Sequence, residues 1–470
     1  MFELDNLSKD IIALIPKKKA FDHLILPLKL DQDTLVIAIP DKNDQKLLHD
    51  IAFITGYKIK AEEFSHDIIL AKLKEMYPTN NHLSNGDIIE NYGNEHNSIE
   101  FVNKVITGAV KINASDIHFE VFEKVFRIRY RIDGHLREMF SLPFSKSQST
   151  LSRLKIMANL DISEKRRPQD GKIRFPVNNI QIDIRVSTLP TTFGEKIVLR
   201  ILDKSKLQLD LKKLGFMQNQ YDIFLNHLRL PYGMILVTGP TGSGKTTTLY
   251  AALHEIHSIE KNIMTIEDPI EYNIDGINQA NVKPDIGFDF AAALRAFLRQ
   301  DPDIIMVGEI RDKETAEIAI RASLTGHLVF STLHTNDSIS AITRLIDMGV
   351  EPFLVASSVR LIIAQRLTRK LCSCQTQTAD ETLQSTRNSK RKLEKGCDKC
   401  NYTGFSGRTA LFELLPITEN MTDLISKNSG YKIIYEEAKK NNFMSLRDSG
   451  LEKLKLGITT YDEIIRETSI

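Results

Sequence analysis

The residues from Gly239 to Thr246 have the types and spacing of a phosphate-binding loop. They fit the pattern G-x-x-x-x-G-K-[ST] and lie between a strand-like apolar run and a helix-like run. The glycines allow backbone N–H groups to turn towards phosphate oxygens, and the helix N-terminus adds partial positive charge. Lys245 would reach the β- and γ-phosphates of a nucleoside triphosphate such as ATP, and the Thr246 hydroxyl would bind Mg²⁺. The predicted nucleotide contacts of this loop are Gly239, Pro240, Thr241, Gly242, Ser243, Gly244, Lys245, Thr246 and Thr247.

Acidic residues at two strand ends could complete this site for hydrolysis. Glu309 ends one predicted apolar strand, with Gly308 where an Asp is usual, and Glu267 ends another. The carboxyl ends of parallel strands lie at one edge of a sheet, so both acids are predicted near Lys245. The spacing leaves open how Glu267 and Glu309 divide the roles of metal support and water activation. His334 follows a third strand, where it would either sense the γ-phosphate or make structural hydrogen bonds.

Two groups of arginines are spaced so that their side chains share one face. Arg127, Arg129 and Arg131 alternate with apolar residues, which places all three on one face of a strand. They would either clamp a triphosphate in a neighbouring site or form salt bridges with nearby Asp and Glu. Arg295 and Arg299 are four residues apart on one face of a predicted helix, where they could contact phosphate or act as arginine fingers in a neighbouring site.

The four cysteines of the chain fall in two close pairs. Cys372 and Cys374 form the first pair, and Cys397 and Cys400 form the second, which gives the spacing C-x-C-x22-C-x2-C. Four thiolates in two pairs are typical of a closed structural Zn²⁺ site, which stabilises a small module and takes no part in catalysis. The alternative is a set of reduced free thiols.

Composition limits the class of protein. The 62 Lys and Arg residues balance 61 Asp and Glu, so the net charge is +1 and no nucleic-acid partner is expected. Apolar runs fall short of 18 residues, and the N-terminus lacks the pattern of a signal peptide. We therefore predict a cytoplasmic protein that would reach a membrane only peripherally, through partners.

The coarse pattern predicts an α/β protein whose P-loop NTPase motor domain, of RecA-like type, has a mainly parallel sheet. Within the second domain, Gln169–Lys172 resembles a hairpin turn. The predicted divisions are a small α/β N-terminal domain that binds partners (1–78), a linker (79–98), a second α/β domain with the arginine strand (99–205), the motor domain (206–370), a zinc-binding module with the four cysteines (371–409) and a helical C-terminal part (410–470).

Taken in order, these motifs resemble the type II secretion and type IV pilus assembly ATPase family, the secretion traffic ATPases. The resemblance covers about residues 20–470, and the first 78 residues resemble only part of the longer N-terminal region of some members. The segments that carry it are 114–118, 129–134, 167–171, the phosphate loop, 265–271, 298–303, 308–312, 325–335 and 396–408.

The resemblance implies a hexameric ring whose ATP turnover moves rigid domains and drives pseudopilin or pilin polymerisation. It implies an inner-membrane platform protein and the cytoplasmic domain of a membrane anchoring protein as partners. It also implies that Glu309 is the family's Walker B glutamate and that the segments 265–271 and 327–334 are its acidic and histidine boxes. The same resemblance implies that Arg129, Arg131, Arg295 and Arg299 approach the nucleotide.

Three other functions compete with an assembly motor. Ring ATPases of this fold class also translocate nucleic acid, but the net charge and the lack of basic–aromatic interleaving argue against this function. A conjugative secretion ATPase is the second alternative, and a nucleotide switch that does not hydrolyse ATP is the third. Secretion and pilus assembly are not separated by the sequence.

Overall fold

A computed structural model describes most of the chain beyond residue 97. The chain divides into two compact units, residues 1–88 and 89–470. The described residues are 98–177, 180–203, 209–376 and 396–469, together with 23–31, 33–42, 44–66 and the residues 11, 14, 15, 20, 68, 69, 72 and 73. Of the predicted linker, residues 79–98, all but Ser98 lies outside the described residues. Each helix in these ranges is too short or too polar to span a bilayer.

The first unit contains a three-stranded sheet in the order β1-β2-β3. Strand β2 lies in the centre, antiparallel to β1 and parallel to β3, and its residues from Leu35 to Ile39 are buried. The helix between β2 and β3 begins after Asp44, whose carboxylate accepts the Leu47 N–H and so caps the helix. The elements are β1 (Leu26–Asp31), β2 (Thr34–Ile39), α1 (Gln45–Thr55) and β3 (Lys58–Glu63).

The second unit begins with a six-stranded antiparallel sheet in the order β6-β5-β4-β9-β8-β7. One face of β5 is apolar, and the hydroxyl of its buried Tyr130 donates to the Val105 carbonyl of the covering helix. The opposite face carries the arginines, as the alternation predicts. The elements are α2 (Ser98–Lys111), β4 (Asp116–Val121), β5 (Val125–Ile132), β6 (His135–Pro143), α3 (Ser147–Met157), β7 (Gln169–Val177), β8 (Ile180–Thr191) and β9 (Gly194–Leu202).

A seven-stranded sheet in the order β12-β11-β13-β14-β10-β15-β16 forms the motor core. Its neighbouring strands are parallel except β15 and β16, and β10 is buried along its whole length between helices on both faces. The strands are β10 (Gly233–Thr238), β11 (Ile263–Glu267), β12 (Asn278–Asn281), β13 (Ile304–Val307), β14 (Leu328–Leu333), β15 (Val359–Leu371) and β16 (Phe405–Pro416).

Helices cover both faces of this sheet, and the predicted α/β motor fold with its mainly parallel sheet is confirmed. The helices that follow α3 are α4 (Gln218–Leu228), α5 (Lys245–Ile256), α6 (Phe290–Phe297), α7 (Lys313–Leu324), α8 (Ser338–Asp347), α9 (Pro352–Ser358), α10 (Ser373–Thr376), α11 (Glu419–Ser426), α12 (Tyr431–Lys440), α13 (Leu446–Lys455) and α14 (Tyr461–Thr468).

Two local expectations are wrong. The residues Gln169–Lys172 lie within strand β7, where a Cβ on Gly171 would come 2.7 Å from the Ala158 carbonyl, so the glycine serves close packing. The stretch up to Pro416 is the edge strand β16, so the helical C-terminal part begins later than residue 410. Strand β16 pairs with β15 over its length and thereby extends the motor sheet.

Candidate functional site

The phosphate loop joins the buried strand β10 to helix α5. Its glycines at positions 239, 242 and 244 have φ values of 149°, 81° and 91°, which an L side chain rarely adopts. The Ser243 hydroxyl is buried and makes no hydrogen bond. The Lys245 ammonium donates to the carbonyls of Gly239 (2.8 Å) and Pro240 (3.2 Å). A curled loop with an unpaired hydroxyl and a cation fits phosphate oxygens.

Lys245, Glu309 and His334 come together at the carboxyl edge of the sheet. His334 Nε2 lies 3.4 Å from a carboxylate oxygen of Glu309, whose side chain also pairs with Arg311. Burial lowers the pKa of Lys245 to about 8, and the charge of Glu309 acts in the opposite direction. Burial and the charge of Lys245 lower the pKa of His334, so its ring is neutral at pH 7.

Gly308 has a steric reason for standing where an acid is usual. A Cβ at this position would approach the Ile266 carbonyl to 3.2 Å, and the Gly308 N–H donates to the same carbonyl at 2.8 Å. The Gly308 carbonyl accepts the Thr332 hydroxyl at 2.7 Å from the strand on the other side. The close backbone contacts fix the residue before Glu309, so the acid extends from a rigid strand end.

Glu267 lies at the end of β11 but is already engaged. Its side chain is buried, one oxygen accepts from Thr265 (2.7 Å) and Gln279 (3.0 Å), and the other accepts the Tyr250 hydroxyl. Tyr250 belongs to α5, the helix that follows the phosphate loop, and its hydroxyl also accepts the Glu271 N–H at 3.3 Å. The carboxylate therefore ties β11 and its acidic loop to α5.

The segment after β14 is attached to the strand before the phosphate loop. The Thr335 N–H donates to the Thr238 hydroxyl at 2.9 Å, and the two hydroxyls are 2.7 Å apart. Asp337 then caps helix α8 by accepting the Ser340 N–H at 2.8 Å. His334 is thus held at the strand end by backbone contacts on its C-terminal side.

In the single chain, the arginine strand is paired with acids of β4. Glu120 accepts from Arg129 at 2.7 and 2.8 Å and from Arg127 at 3.2 Å, and Asp116 lies 3.3 Å from Arg131. Burial would raise the pKa of Glu120, but hydrogen bonds from Arg129 and Lys196 outweigh it and bring the pKa to about 2. Of the two interpretations of this strand, the structure shows the salt bridges.

The helical arginines lie on the surface of α6 and the turn after it. Arg295 pairs with Glu314 of α7, and Arg299 donates to the Arg295 carbonyl at 2.8 Å. Both bonds belong to this surface and neither involves the phosphate loop.

Sequence reasoning missed Arg185, which connects the six-stranded sheet to the acidic loop. Its guanidinium donates to the Glu271 carboxylate and to the Ile270 carbonyl, both at 3.0 Å. Glu271 lies 86 residues after Arg185 and Ile270 lies 85 residues after it, so no local spacing signals these contacts.

The four cysteines come together between β15 and β16. Their sulfur atoms lie within 4.8 Å of one another, with 3.8 Å between Cys372 and Cys397 and 3.9 Å between Cys374 and Cys400. A tetrahedral Zn²⁺ with bonds of about 2.3 Å requires sulfur atoms about 3.8 Å apart. The Cys400 sulfur also accepts N–H groups of Cys397 (3.1 Å) and Gly404 (3.3 Å), which stabilise a thiolate. The C-x-C spacing is therefore compatible with a closed zinc site.

Comparison with protein families identifies the motor. The model of the type II/IV secretion system protein family matches residues 93–466. The chain belongs to this family. A second model, the MshEN domain, matches residues 2–80. The secretion ATPase family that the sequence motifs predict is thereby confirmed, and the chain is an ATPase of this class.

Relatives of this secretion ATPase include both pilus and secretion proteins. The type IV pilus assembly ATPase PilB of Myxococcus xanthus is 43% identical to this chain, and the alignment covers 99% of this chain and 88% of the relative. The type II secretion system ATPase E of Vibrio cholerae is 49% identical, and its alignment covers 79% of this chain and 75% of the relative. Both kinds of relative extend over the motor domain, which agrees with one shared ATPase core.

Solved structures agree with the fold. The pilus retraction motor PilT with bound ADP has a TM-score of 0.53 and 27% identity, covering 78% of this chain and 97% of that chain. The ATPase DotB of Legionella pneumophila has a TM-score of 0.58 and 22% identity, covering 78% and 94%, and so supports the fold alone.

The lowered pKa of Lys245 predicts that nucleotide binding takes up a proton at alkaline pH. With a pKa of about 8, the lysine is mostly neutral at pH 8.5, and bound phosphate favours its charged form. At pH 7 the lysine is already protonated, so nucleotide binding should take up no proton at this site. Titration calorimetry of ADP in buffers of different ionisation enthalpy measures the uptake. Lys245→Arg stays charged and serves as the control; equal uptake by both proteins at pH 8.5 would contradict the prediction.

Proposed function

We propose that this chain is a hexameric ATPase whose hydrolysis of ATP drives pseudopilus or pilus assembly, in type II secretion or type IV pilus biogenesis. The observation that carries the proposal is the meeting of Lys245, Glu309 and His334 beside a phosphate loop. The pilus assembly relative covers 99% of this chain and the type II secretion relative covers 79%, which supports the same role here.

Each residue of the site has a role that follows from its position. The loop N–H groups and Lys245 hold the phosphates, and Thr246, exposed on the first turn of α5, is free to contact Mg²⁺. The metal supplies charge neutralisation when it is bound. Glu309 orients and polarises the attacking water, because its carboxylate has fewer described side-chain donors than that of Glu267. The neutral His334 donates a hydrogen bond at the γ-phosphate.

The paired arginines are proposed to act between subunits. A neighbouring subunit's triphosphate carries more negative charge than one carboxylate, so it would compete with Glu120 for Arg129 and with Asp116 for Arg131. The remaining candidates, Arg295 and Arg299, are exposed and need to break only surface contacts. In a ring, a neighbouring subunit's triphosphate would therefore accept from the arginines that pair with acids in the single chain.

The wider assembly follows from the same proposal. The N-terminal α/β domain, predicted as residues 1–78, would bind the cytoplasmic domain of a membrane anchoring protein. The motor would act on an inner-membrane platform protein. The chain would then work in the cytoplasm, at the periphery of the inner membrane, through these partners, with no nucleic acid involved.

Zinc is proposed to stabilise the module between β15 and β16. We expect about one Zn²⁺ per chain by elemental analysis, since the site has four thiolate ligands. Cys397→Ser should lose the metal and lower Tm by about 5 °C or more, because metal binding is coupled to folding. Ser406→Ala, exposed in the same module, is the matched control and should keep metal and Tm. Metal-free protein with four titratable thiols and an unchanged Tm would rule the site out.

The ring is tested by measuring ATP turnover against protein concentration, with light scattering for mass. We expect turnover per chain to rise as hexamers form, because the paired arginines then reach a neighbour's site. Lys245→Ala gives the background rate. Turnover that is the same in a dilute monomer as in the hexamer would contradict shared sites. Stimulation by single- or double-stranded DNA, absent for the control polyanion heparin, would favour the nucleic-acid motor instead.

A further inference from the structure

Two adjacent residues of β15, Gln365 and Arg366, extend from the sheet towards different parts of the ATPase site. Successive side chains of a strand point to opposite faces. Gln365 contacts Thr248 of α5, the helix after the phosphate loop, whereas Arg366 contacts Asn336, which lies two residues after His334. Both side chains are almost fully buried, with 2% and 9% exposure. Neither belongs to a motif that the sequence analysis singled out.

Gln365 forms the floor of the phosphate loop. Its side-chain oxygen accepts the Thr248 hydroxyl at 2.8 Å. A Cβ on Gly239 would come 2.5 Å from the Gln365 carbonyl, and a Cβ on Gly244 would come 2.8 Å from its side-chain nitrogen. The first and last glycines of the loop therefore both rest on this one residue. The loop curvature that directs the N–H groups inward therefore depends on the position of Gln365 against these two glycines.

Arg366 links that floor to the histidine segment, residues 334–337. One terminal nitrogen donates to the Gln365 carbonyl at 3.1 Å. The other donates to the carbonyl and side-chain oxygens of Asn336 at 2.9 and 3.2 Å. All three acceptors are uncharged oxygens, so these bonds set a distance, and the acids Glu467, Glu413 and Asp337 act on the guanidinium through their charge alone. A planar guanidinium bridges two such groups in a way that a lysine cannot.

We propose that Gln365 and Arg366 are positioning residues with separate effects: Gln365 shapes the phosphate loop for ATP binding, and Arg366 places His334 for hydrolysis. The proposal rests on the ATP site proposed above. The His334 ring has an ion-pair contact with Glu309 at 3.4 Å, and its position also depends on how the following residues are held. Thr335 is held by Thr238, and Asn336 is held by Arg366.

Gln365→Met tests the first effect. Methionine fills a similar volume but cannot accept from Thr248, so we expect Kd for ATP to rise about tenfold with kcat within about threefold. Fluorescent ATP-analogue titration gives Kd, and saturating ATP gives kcat. Gln220→Met is the matched control, because Gln220 is also buried and donates at 2.9 Å to the carbonyl of Phe412, which lies opposite Gln365 on β16 and not in the loop. It should lower Tm but leave Kd unchanged.

Arg366→Met tests the second effect. We expect kcat to fall about tenfold or more while Kd for ATP stays within about threefold, because the histidine segment loses its anchor but the loop keeps its floor. Arg369→Met is the matched control: Arg369 lies on the same strand but pairs with Glu463 of α14. It should lower Tm at unchanged kcat. If Arg366→Met does not fold, Arg366→Lys keeps the charge, can bond to only one of the two residues Gln365 and Asn336, and should also lower kcat.

A double-mutant cycle tests whether Gln365 acts through Thr248. Thr248→Val removes the same hydrogen bond from the other side, so it should raise Kd by a similar factor. Combining it with Gln365→Met should add little, because the bond is lost only once. Fully additive effects of the two substitutions would show that Gln365 does not act through this contact.

The two effects separate positioning from packing. A rise in Kd for Gln365→Met and a fall in kcat for Arg366→Met, with silent controls, would support the proposal. Changes in Kd and kcat that follow Tm equally in variants and controls would overturn it. If wild type and Lys245→Ala turn over ATP equally, the proposed function fails. The binding titrations of Gln365→Met and Gln220→Met still decide the effect on the loop.

Discussion

Replacing Glu309 by glutamine is expected to lower ATP turnover by about a hundredfold to a thousandfold and to leave ATP binding within a factor of about three. Glutamine has nearly the same shape but carries no charge, so it cannot polarise the attacking water. The strand end that positions residue 309 is fixed by the contacts of Gly308 with both neighbouring strands. Steady-state turnover and fluorescent-nucleotide titration measure the two quantities.

Glu267→Gln is the matched comparison, because it makes the same chemical change at the end of the neighbouring strand. The Glu267 carboxylate already accepts the Thr265, Gln279 and Tyr250 donors, so the substitution should mainly weaken this buried network. We expect a lower Tm and a smaller loss of turnover than for Glu309→Gln. Near-complete loss of turnover at normal Tm for Glu267→Gln, with Glu309→Gln active, would reverse the roles.

The motor sheet could be predicted because its signals are local. The phosphate loop is defined by eight consecutive residues between a strand and a helix, and an apolar run before Glu309 indicates a buried strand. Parallel strands place their carboxyl ends at one edge, so the proximity of Glu309 and His334 follows from topology. The structure adds the 3.4 Å contact between them, which spacing cannot give.

The errors occur where contacts between distant residues decide the structure. The sequence pattern predicts residues 410–416 as the start of the helical part, but they belong to the edge strand β16, because β15 offers an edge for pairing. The Gly171 region resembles a turn, yet the glycine is needed for close contact with Ala158. In both cases the deciding partner lies far along the chain or on another element, which a local window does not contain.

The arginine strand shows the same limit for charges. Alternation established that Arg127, Arg129 and Arg131 share a face, but it left open whether acids or phosphate lie opposite. The answer for the single chain depends on register, since β4 places Glu120 opposite Arg127 and Asp116 opposite Arg131. Register depends on the packing of the whole sheet, so spacing within one strand could not decide it.

Replacing Lys245 by alanine is expected to reduce ATP turnover by about a thousandfold or more, because the lysine contributes to both phosphate binding and transition-state charge. The same substitution should not destabilise the nucleotide-free protein. A pKa of about 8, below the ordinary lysine value, means that burial of the charged form costs stability. This cost is fully present below pH 8 and disappears as the pH rises towards 10.5.

Lys245→Ala should therefore have a Tm at pH 7 equal to or above that of wild type, and it should gain little from ATP. Wild type should gain about 2.7 kcal/mol at an ATP concentration one hundred times Kd. Lys261→Ala, an exposed lysine on the loop after α5, is the control and should match wild type in both measurements. If Lys245→Ala lost Tm in parallel with turnover, unfolding would explain its inactivity. Activity lost at full stability would show that the loop keeps a buried cation for phosphate at a cost to its own fold.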